Sequence, residues 1–252
     1  MIEYLLDKKT EFEIKNQHLL HTCEWMLDAK TSQAIEQSKP IIEQFKDDPS
    51  LGDKIKPKDI PIFDVVKQHF DDIFSLPVFS KEYCDMILDE IQNIKSQEKF
   101  KVNKNEEKDV QIQEFMLFEN CPKWYFASLG FIYQKINTVF SALYNRIVRD
   151  ATIQLANYNT REISKTTWHH DGDFDISMIV PLNSGEYTGG GTEFWNKGVI
   201  DPLPTGHALI FPTFSNFHRG LPVLEGDRYL FVFWLGNFID RKSEDCQIAE
   251  VS

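Results

Sequence analysis

Three side chains in the sequence, His169, Asp171 and His218, have types and spacing that suit a shared metal ion. His169 and Asp171 are two residues apart, so on an extended segment their side chains point to the same side and can bind one ion. His218 follows 49 residues after His169, where we expect the last turn of a β-rich region to return beside the first segment. The spacing predicts a metal site of two imidazoles and one carboxylate.

Iron is the metal that this ligand set favours. Two histidines and one carboxylate occupy one face of the ion and leave other positions open, as non-haem Fe(II) oxygenases require. Zinc is the competing metal, but zinc sites favour tetrahedral closure. A His-x-Asp pair alone is common by chance, so the interpretation depends on the residues that accompany it.

Arg228 supplies the second element, ten residues after His218 and about one β-hairpin further along the chain. A guanidinium is permanently charged and pairs bidentately with a carboxylate. Beside a metal with open positions, it predicts a site for a dicarboxylate cosubstrate. Glycines 189–191 are expected to form a tight turn, and phosphate binding is not expected because no helix follows them.

The elements that must position these residues are β-strands. From residue 151 onward, short β-rich runs alternate with Gly, Pro and Asn. Strands are predicted at 152–158, 174–182, 192–195, 207–211, 216–219 and 228–235. Many short strands at this spacing indicate a sandwich or jelly roll. We expect an α+β fold with a double-stranded β-helix (jelly roll) core, supporting helices and a helical N-terminal appendage.

The region before residue 151 is expected to be mainly helical. Its periodicity predicts two helices between 15 and 45 that are interrupted at Pro40, a short helix over 63–70, a helix capped by Ser80 and a long helix from Pro122 to about Val148. The predicted domains are an appendage and linker over 1–60, a main domain over 61–240 and a C-terminal tail over 241–252. The charged loop over 95–108 is a candidate cover for the site.

Composition limits the classes of partner. The chain has 252 residues and a formal charge of −12, from 27 basic and 39 acidic residues. It therefore lacks the basic character of nucleic-acid-binding proteins, while basic peptides are tolerated. The four cysteines form no Cys-x-x-Cys pair, and no stretch approaches the roughly 20 apolar residues of a membrane span. We expect no nucleic-acid or membrane partner and a cytoplasmic location.

The motifs together resemble the Fe(II)- and 2-oxoglutarate-dependent dioxygenases, and among them the catalytic domain of the procollagen-lysine dioxygenases (lysyl hydroxylases). The resemblance covers about 74–236. It comprises Phe-Ser-Leu-Pro-Val-Phe at 74–79 with Cys84, His-His-Asp at 169–171, Glu-Tyr-Thr-Gly-Gly-Gly at 186–191, His-Arg-Gly-Leu-Pro at 218–222 and Gly-Asp-Arg-Tyr at 226–229.

The resemblance implies a role for each site residue. His169, Asp171 and His218 would ligate Fe(II). Arg228 and Tyr158, which lies eleven residues before the first histidine, would hold the distal carboxylate of 2-oxoglutarate. The implied cofactors are Fe(II), 2-oxoglutarate and O2, with ascorbate as reductant, and the implied products are succinate and CO2. Because family members often pair, a homodimer is also expected.

The substrate that the resemblance implies is a lysyl residue in a peptide or protein, or free lysine. A prolyl or small-metabolite hydroxylase is the alternative enzyme, and a non-catalytic jelly-roll binding module is the alternative outside enzymes. Asp173 and Asp175 are candidates for lysine recognition, with loop solvation as the competing explanation. Thr192 stands where the family often has a cysteine, which puts substrate contacts in question.

Two further expectations concern residues near the motifs. His170 should face away from the metal, because it is adjacent to a ligand on an extended segment. Trp168, Trp195 and Trp234 are expected to belong to the core.

Overall fold

Helices occupy mainly the first part of the chain. The computed structural model describes residues 12–47, 57–102, 104, 108, 110–172 and 174–236. The α-helices in these ranges are α1 (Ala29–Asp47), α2 (Lys81–Ser96), α3 (Leu117–Asn120), α4 (Pro122–Phe131) and α5 (Asn137–Tyr144), and a π-helical turn, Ile132–Ile136, joins the last two. Short 3-10 helices span Gln17–Leu20, Glu24–Met26, Pro57–Asp59 and Pro61–Asp64.

Strands follow the helices and form the site-bearing part of the fold. They are β1 (Lys67–Phe70), β2 (Ile73–Pro77), β3 (Lys101–Val102), β4 (Gln113–Met116), β5 (Asp150–Asn159), β6 (Ile176–Pro181), β7 (Thr188–Gly189), β8 (Thr192–Phe194), β9 (Gly198–Ile200), β10 (His207–Pro212), β11 (His218–Gly220), β12 (Val223–Glu225) and β13 (Asp227–Gly236). Each of the six predicted β-runs overlaps one of these strands.

The strands form one large and two small antiparallel sheets. The large sheet has the order β1-β2-β10-β6-β13-β5-β4-β3, and the small sheets have the orders β11-β8-β9 and β12-β7. Neighbours in the large sheet are mostly far apart in sequence, as the crossing connections of a jelly roll require. The predicted α+β fold with a jelly-roll core is confirmed.

Strand β13 divides the interior into two halves. Successive residues of a strand face opposite sides of the sheet. Phe231 and Phe233 face the helices, where the ring centroid of Phe231 lies 6.0 Å from that of Trp124 and 5.9 Å from that of Phe79. Leu230 and Val232 belong to a second apolar cluster on the opposite side. The apolar side chains on the helix-facing side stabilise the fold, and the opposite side of the sheet is available to line a cavity.

The N-terminal segment packs on the same core as the main sheet. Leu19, Met26, Ile35 and Ile42 are buried in the cluster that contains Phe231. The domain boundaries stay predictions, because 48–56 of the linker and 241–252 of the tail lie outside the described residues. Of the candidate cover over 95–108, residues 103 and 105–107 also lie outside them. Among the described helices, none combines the length and apolar composition that a membrane span needs.

Three local predictions were wrong. Helix α1 runs through Pro40, because Ile35 and Ile42 on either side of the proline are both buried and tertiary packing outweighs its cost. The predicted helix over 63–70 is a 3-10 turn followed by β1, which pairs with β2. The long helix from Pro122 ends at Asn145, whose left-handed φ of 52° closes α5.

The central position of Phe231 predicts a large stability effect. Phe231→Ala should lower the free energy of unfolding by about 3–5 kcal/mol, because it removes a fully buried ring and leaves a cavity. Phe214→Ala, at a ring that is 61% exposed, is the matched control and should change it by about 0.5 kcal/mol or less. Urea unfolding measures both values. Equal effects would contradict the assigned core.

Candidate metal and cosubstrate site

The two predicted histidine ligands are held together by their main chains. The His169 N–H donates to the His218 carbonyl at 2.9 Å, and the His218 N–H donates to the His169 carbonyl at 3.0 Å. This isolated antiparallel bridge joins the loop before β6 to the start of β11. It places side by side two residues that are far apart in the sequence.

Asp171 completes the cluster. Its Oδ1 lies 3.5 Å from Nε2 of His169, and its Oδ2 lies 3.6 Å from Nε2 of His218. One donor atom from each of the three residues lies within 4.8 Å of the others. Three donors this close, on one side of a cavity, suit a single metal ion with open positions on the opposite side.

Backbone carbonyls fix which nitrogen of each histidine is available. Nδ1 of His169 lies 2.7 Å from the Thr167 carbonyl, and Nδ1 of His218 lies 3.0 Å from the Asn216 carbonyl. A carbonyl oxygen only accepts, so both Nδ1 atoms carry hydrogen and both Nε2 atoms present lone pairs. This arrangement is typical of metal-bound histidines.

The ionisation states also suit a cation. Burial raises the pKa of Asp171, but the imidazoles of His218 and His169, when protonated, and a hydrogen bond from Ser177 outweigh burial and lower the pKa to about 2. Burial lowers the pKa of His218, which favours the neutral imidazole. A carboxylate and neutral imidazoles are the forms that bind metal.

Arg228 is a buried cation that faces the same cavity. It is 5% exposed and lies directly across from Tyr158 in the β13–β5 pair, with its guanidinium carbon 5.6 Å from the Tyr158 ring centre. Its Nη1 donates to the Gly191 carbonyl at 3.3 Å, and its Nε has no hydrogen-bond partner. No carboxylate among the described residues forms an ion pair with it. Because a buried unpaired charge is costly, this position favours an anionic ligand.

One cavity of about 330 Å³ connects the metal ligands with Arg228 and Tyr158. Most of its remaining wall is apolar, which excludes water and strengthens electrostatic interactions inside. The apolar lining residues are Val110, Ile112, Phe174, Ile179, Leu230 and Val232.

The glycine run allows the close approach of Arg228. A Cβ on Gly190, whose φ is +77°, would lie 3.2 Å from Cδ of Arg228. Gly191 has a φ of +101°, and its Cβ would lie 2.8 Å from the Ile200 carbonyl. Both positions therefore favour glycine for conformation and for space. The run shapes the turn beside the arginine.

Comparison with known proteins identifies relatives in sequence. No family model matches the chain. The chain is 22% identical over 187 residues to a multifunctional procollagen lysine hydroxylase and glycosyltransferase of Caenorhabditis elegans, which covers 68% of this chain and 25% of the relative. It is 25% identical over 186 residues to the mouse procollagen-lysine,2-oxoglutarate 5-dioxygenase 1, covering 67% and 24%. The chain thus spans about a quarter of the length of these curated relatives.

Two solved structures share the fold. A prolyl-4-hydroxylase of Pseudomonas putida superposes with a TM-score of 0.52 at 15% identity, covering 68% of this chain and 91% of that one. A prolyl hydroxylase of Trichoplax adhaerens, in complex with a hypoxia inducible factor peptide, superposes with a TM-score of 0.55 at 13% identity, covering 87% and 98%. The resemblance to Fe(II)- and 2-oxoglutarate-dependent dioxygenases is confirmed.

The residues present fit the cofactors of these dioxygenases. The metal fit comes from the three convergent donors with carbonyl-oriented imidazoles. The fit to 2-oxoglutarate comes from the buried Arg228, whose Nε has no partner in the cavity wall. The roles of the ligands, of Arg228 and of Tyr158 remain those that the resemblance implies.

The predicted substrate residues are placed differently from the metal ligands. Asp173 lies outside the described residues. Asp175 is not part of the cavity lining. Its carboxylate lies beside Gly236, where Oδ2 would be 3.5 Å from a Cβ added to that glycine. Thr192 does line the cavity, as a substrate-contacting position would.

The other predictions near the site had mixed outcomes. His170 is exposed and is not one of the three clustered ligands, but it lines the cavity, where its Nδ1 donates to the Thr213 carbonyl at 3.1 Å. Trp195 is 54% exposed and lies outside the core. Trp234 packs against the second apolar cluster, as expected of a core residue, and also lines the cavity. His170 does not follow the alternation of a strand, because the segment after His169 is irregular loop.

Ser177 and Gln154 were not predicted as site residues from the sequence. Ser177 is fully buried, and its hydroxyl donates to Oδ2 of Asp171. Gln154 lines the cavity and is 1% exposed. A polar residue at an inward position of a predicted strand is a usable signal, since buried polar groups need a partner. Both residues show this signal within apolar strands.

The hydrogen bond from Ser177 predicts an effect on metal affinity. Ser177→Ala should weaken Fe(II) binding by about 10- to 100-fold, because it removes the group that orients the Asp171 carboxylate. Ser128→Ala replaces a serine of similar burial remote from the site and is the matched control. Anaerobic calorimetric titration measures both affinities. Loss of less than twofold in the Ser177 variant would contradict this role.

Proposed function

We propose that the chain is an Fe(II)- and 2-oxoglutarate-dependent hydroxylase that acts on lysyl residues of a peptide or protein. The observation that carries the proposal is the cavity itself, in which three convergent metal-ligand side chains face a buried arginine that has no carboxylate partner among the described residues. A metal and a dicarboxylate can be held there together. A non-catalytic binding module would not need either feature.

Each residue has a defined task in this proposal. His169, Asp171 and His218 would hold Fe(II), while Arg228 and Tyr158 would hold the distal carboxylate of 2-oxoglutarate. When bound, the metal and cosubstrate use O2 to convert a substrate C–H into C–OH, and 2-oxoglutarate leaves as succinate and CO2. The protein supplies orientation, because a cosubstrate fixed at Arg228 can present only its other end to the metal.

Lysine is proposed as the target because the relatives in sequence are named for procollagen lysine. The charge of −12 supports a basic substrate. A prolyl residue is the second candidate, because the structures that share the fold are named prolyl hydroxylases. Free lysine or another small metabolite, a need for ascorbate, a homodimer and a cytoplasmic location stay predictions.

The activity can be tested with the purified protein. Incubation with Fe(II), 2-oxoglutarate and a library of lysine- and proline-containing peptides should add one oxygen to lysyl peptides, detected by mass spectrometry. His169→Ala should abolish the gain, because it removes one metal ligand. Succinate formation that no peptide or amino acid stimulates would contradict the proposed substrate. Equal 2-oxoglutarate consumption by wild type and His169→Ala would contradict the proposal that the protein is an enzyme.

The cosubstrate role of Arg228 predicts a specific affinity loss. Arg228→Ala should weaken 2-oxoglutarate binding by about 2–5 kcal/mol, or about 30-fold and more, because a buried charge pair loses one partner. Fe(II) binding should persist, since Arg228 is not a ligand. Arg146→Ala, at an exposed arginine remote from the cavity, is the matched control. Unchanged 2-oxoglutarate affinity in the Arg228 variant would contradict the proposed role of Arg228 in binding the distal carboxylate.

A further inference from the structure

Two buried polar atoms in the cavity wall have no hydrogen-bond partner and no role in holding metal or cosubstrate. They are Oε1 of Gln154 and Nε1 of Trp234. Gln154 is 1% exposed, and both side chains line the cavity. Unpaired polar atoms are costly in a buried site, so their position in a largely apolar wall favours a ligand that pairs with them.

The two side chains lie close together on neighbouring strands. Gln154 of β5 is directly opposite Val232 of β13, and Trp234 is the next residue of β13 on the same face. Diagonal neighbours of this kind are roughly 7–8 Å apart. One small polar group can therefore contact both side chains.

This pair lies away from the arginine end of the cavity. Gln154 is four residues from Tyr158 on the same strand, which corresponds to roughly 13 Å. A 2-oxoglutarate molecule has four C–C bonds of about 1.5 Å each, so one anchored at Arg228 is too short to extend far past the metal. Trp234 is opposite Ser177, the residue that donates to Asp171. The pair is thus on the metal side, where a substrate must lie.

The chemistry of the pair is neutral. Oε1 of Gln154 accepts a hydrogen bond, and Nε1 of Trp234 donates one. The charged groups among the described lining residues are Asp171 and Arg228, which the proposed metal and cosubstrate would engage. An uncharged group with one N–H and one C=O matches the pair. A peptide amide has both.

We propose that Gln154 and Trp234 bind a main-chain amide of the substrate beside the hydroxylated residue. The amide N–H donates to Gln154, and its carbonyl accepts from Trp234. This inference rests on the proposed hydroxylase function and narrows its substrate to a residue within a peptide. A free amino acid would bring an ammonium and a carboxylate instead. Neither Gln154 nor Trp234 carries a charge that could pair with these groups.

Binding experiments test the pair directly. Protein loaded with Mn(II) and 2-oxoglutarate is titrated with a lysyl peptide that the wild type hydroxylates. Gln154→Met and Trp234→Phe keep most of the side-chain volume and should each weaken peptide binding by about 5- to 100-fold. Their 2-oxoglutarate affinity should change by less than twofold. Gln134→Met and Trp25→Phe, at positions outside the cavity, are the matched controls and should bind the peptide as the wild type does.

A modified substrate tests the pair in the wild-type protein, with Gln154→Met as a comparison. Replacing each amide that flanks the target lysine with an ester, one at a time, removes its N–H. One ester should weaken binding to the wild type, and the same ester should cause no further loss in Gln154→Met. Free lysine should bind at least 10-fold more weakly than the peptide.

Three results would overturn the inference. They are peptide affinity that neither substitution changes, a loss of 2-oxoglutarate affinity in place of peptide affinity, and equal turnover of free lysine and peptide. In each case the wild type still adds oxygen to its substrate, so the proposed hydroxylase function is not contradicted. If the wild type adds oxygen to no peptide, the proposed peptidyl function fails, and this inference fails with it.

Discussion

The reciprocal main-chain hydrogen bonds between His169 and His218 are the constraint on which the site depends. They join two segments that the sequence separates widely and set the distance between the two imidazoles. A polar cluster holds the second segment from outside, because Asp72 accepts hydrogen bonds from Lys197 and Asn216. The Asn216 carbonyl in turn accepts from Nδ1 of His218. Ligand orientation is therefore tied to the packing of β1, β2 and the loop before β11.

The register of β13 links stability to chemistry. Its helix-facing residues build the core, while the alternate residues carry Arg228 and the cavity wall to the opposite side. A shift of one residue would exchange these two faces. Arg228 would then point into the core, and Tyr229, whose hydroxyl accepts from Lys95, would point into the cavity. The helix-facing apolar side chains of β13 thus determine the direction in which Arg228 points, although they are not on its side of the sheet.

The sequence predicted the parts of the molecule that follow from local period and motif. The strand runs were found because alternation and punctuating glycines are local signals, and the ligand set was found because its spacing matches a known family. Helix α1 was misjudged at Pro40, since its continuation depends on packing around Ile35 and Ile42. Residues 67–70 were predicted as helix but form a strand, because they pair with β2 in the sheet. Neither partner contact is visible in local sequence.

The cavity wall illustrates a second limit of sequence reasoning. Ser177, Gln154 and Trp234 belong to no motif that we recognised, and their importance comes from facing Asp171 or the cavity. Gln154 and Ser177 were nevertheless detectable as polar residues at inward positions of apolar strands. Trp234 was not, because a tryptophan in such a strand is expected in a core. Its unpaired indole N–H becomes apparent only in the fold.

The central claim is that one cavity holds a metal at His169, Asp171 and His218 and a dicarboxylate at Arg228. A crystal structure of the protein with Mn(II), as a stand-in for Fe(II), and 2-oxoglutarate tests it most directly. The account predicts the metal bonded to both Nε2 atoms and to the Asp171 carboxylate, with the distal carboxylate of 2-oxoglutarate paired to the Arg228 guanidinium. Metal bound elsewhere, or 2-oxoglutarate bound without contact to Arg228, would contradict it.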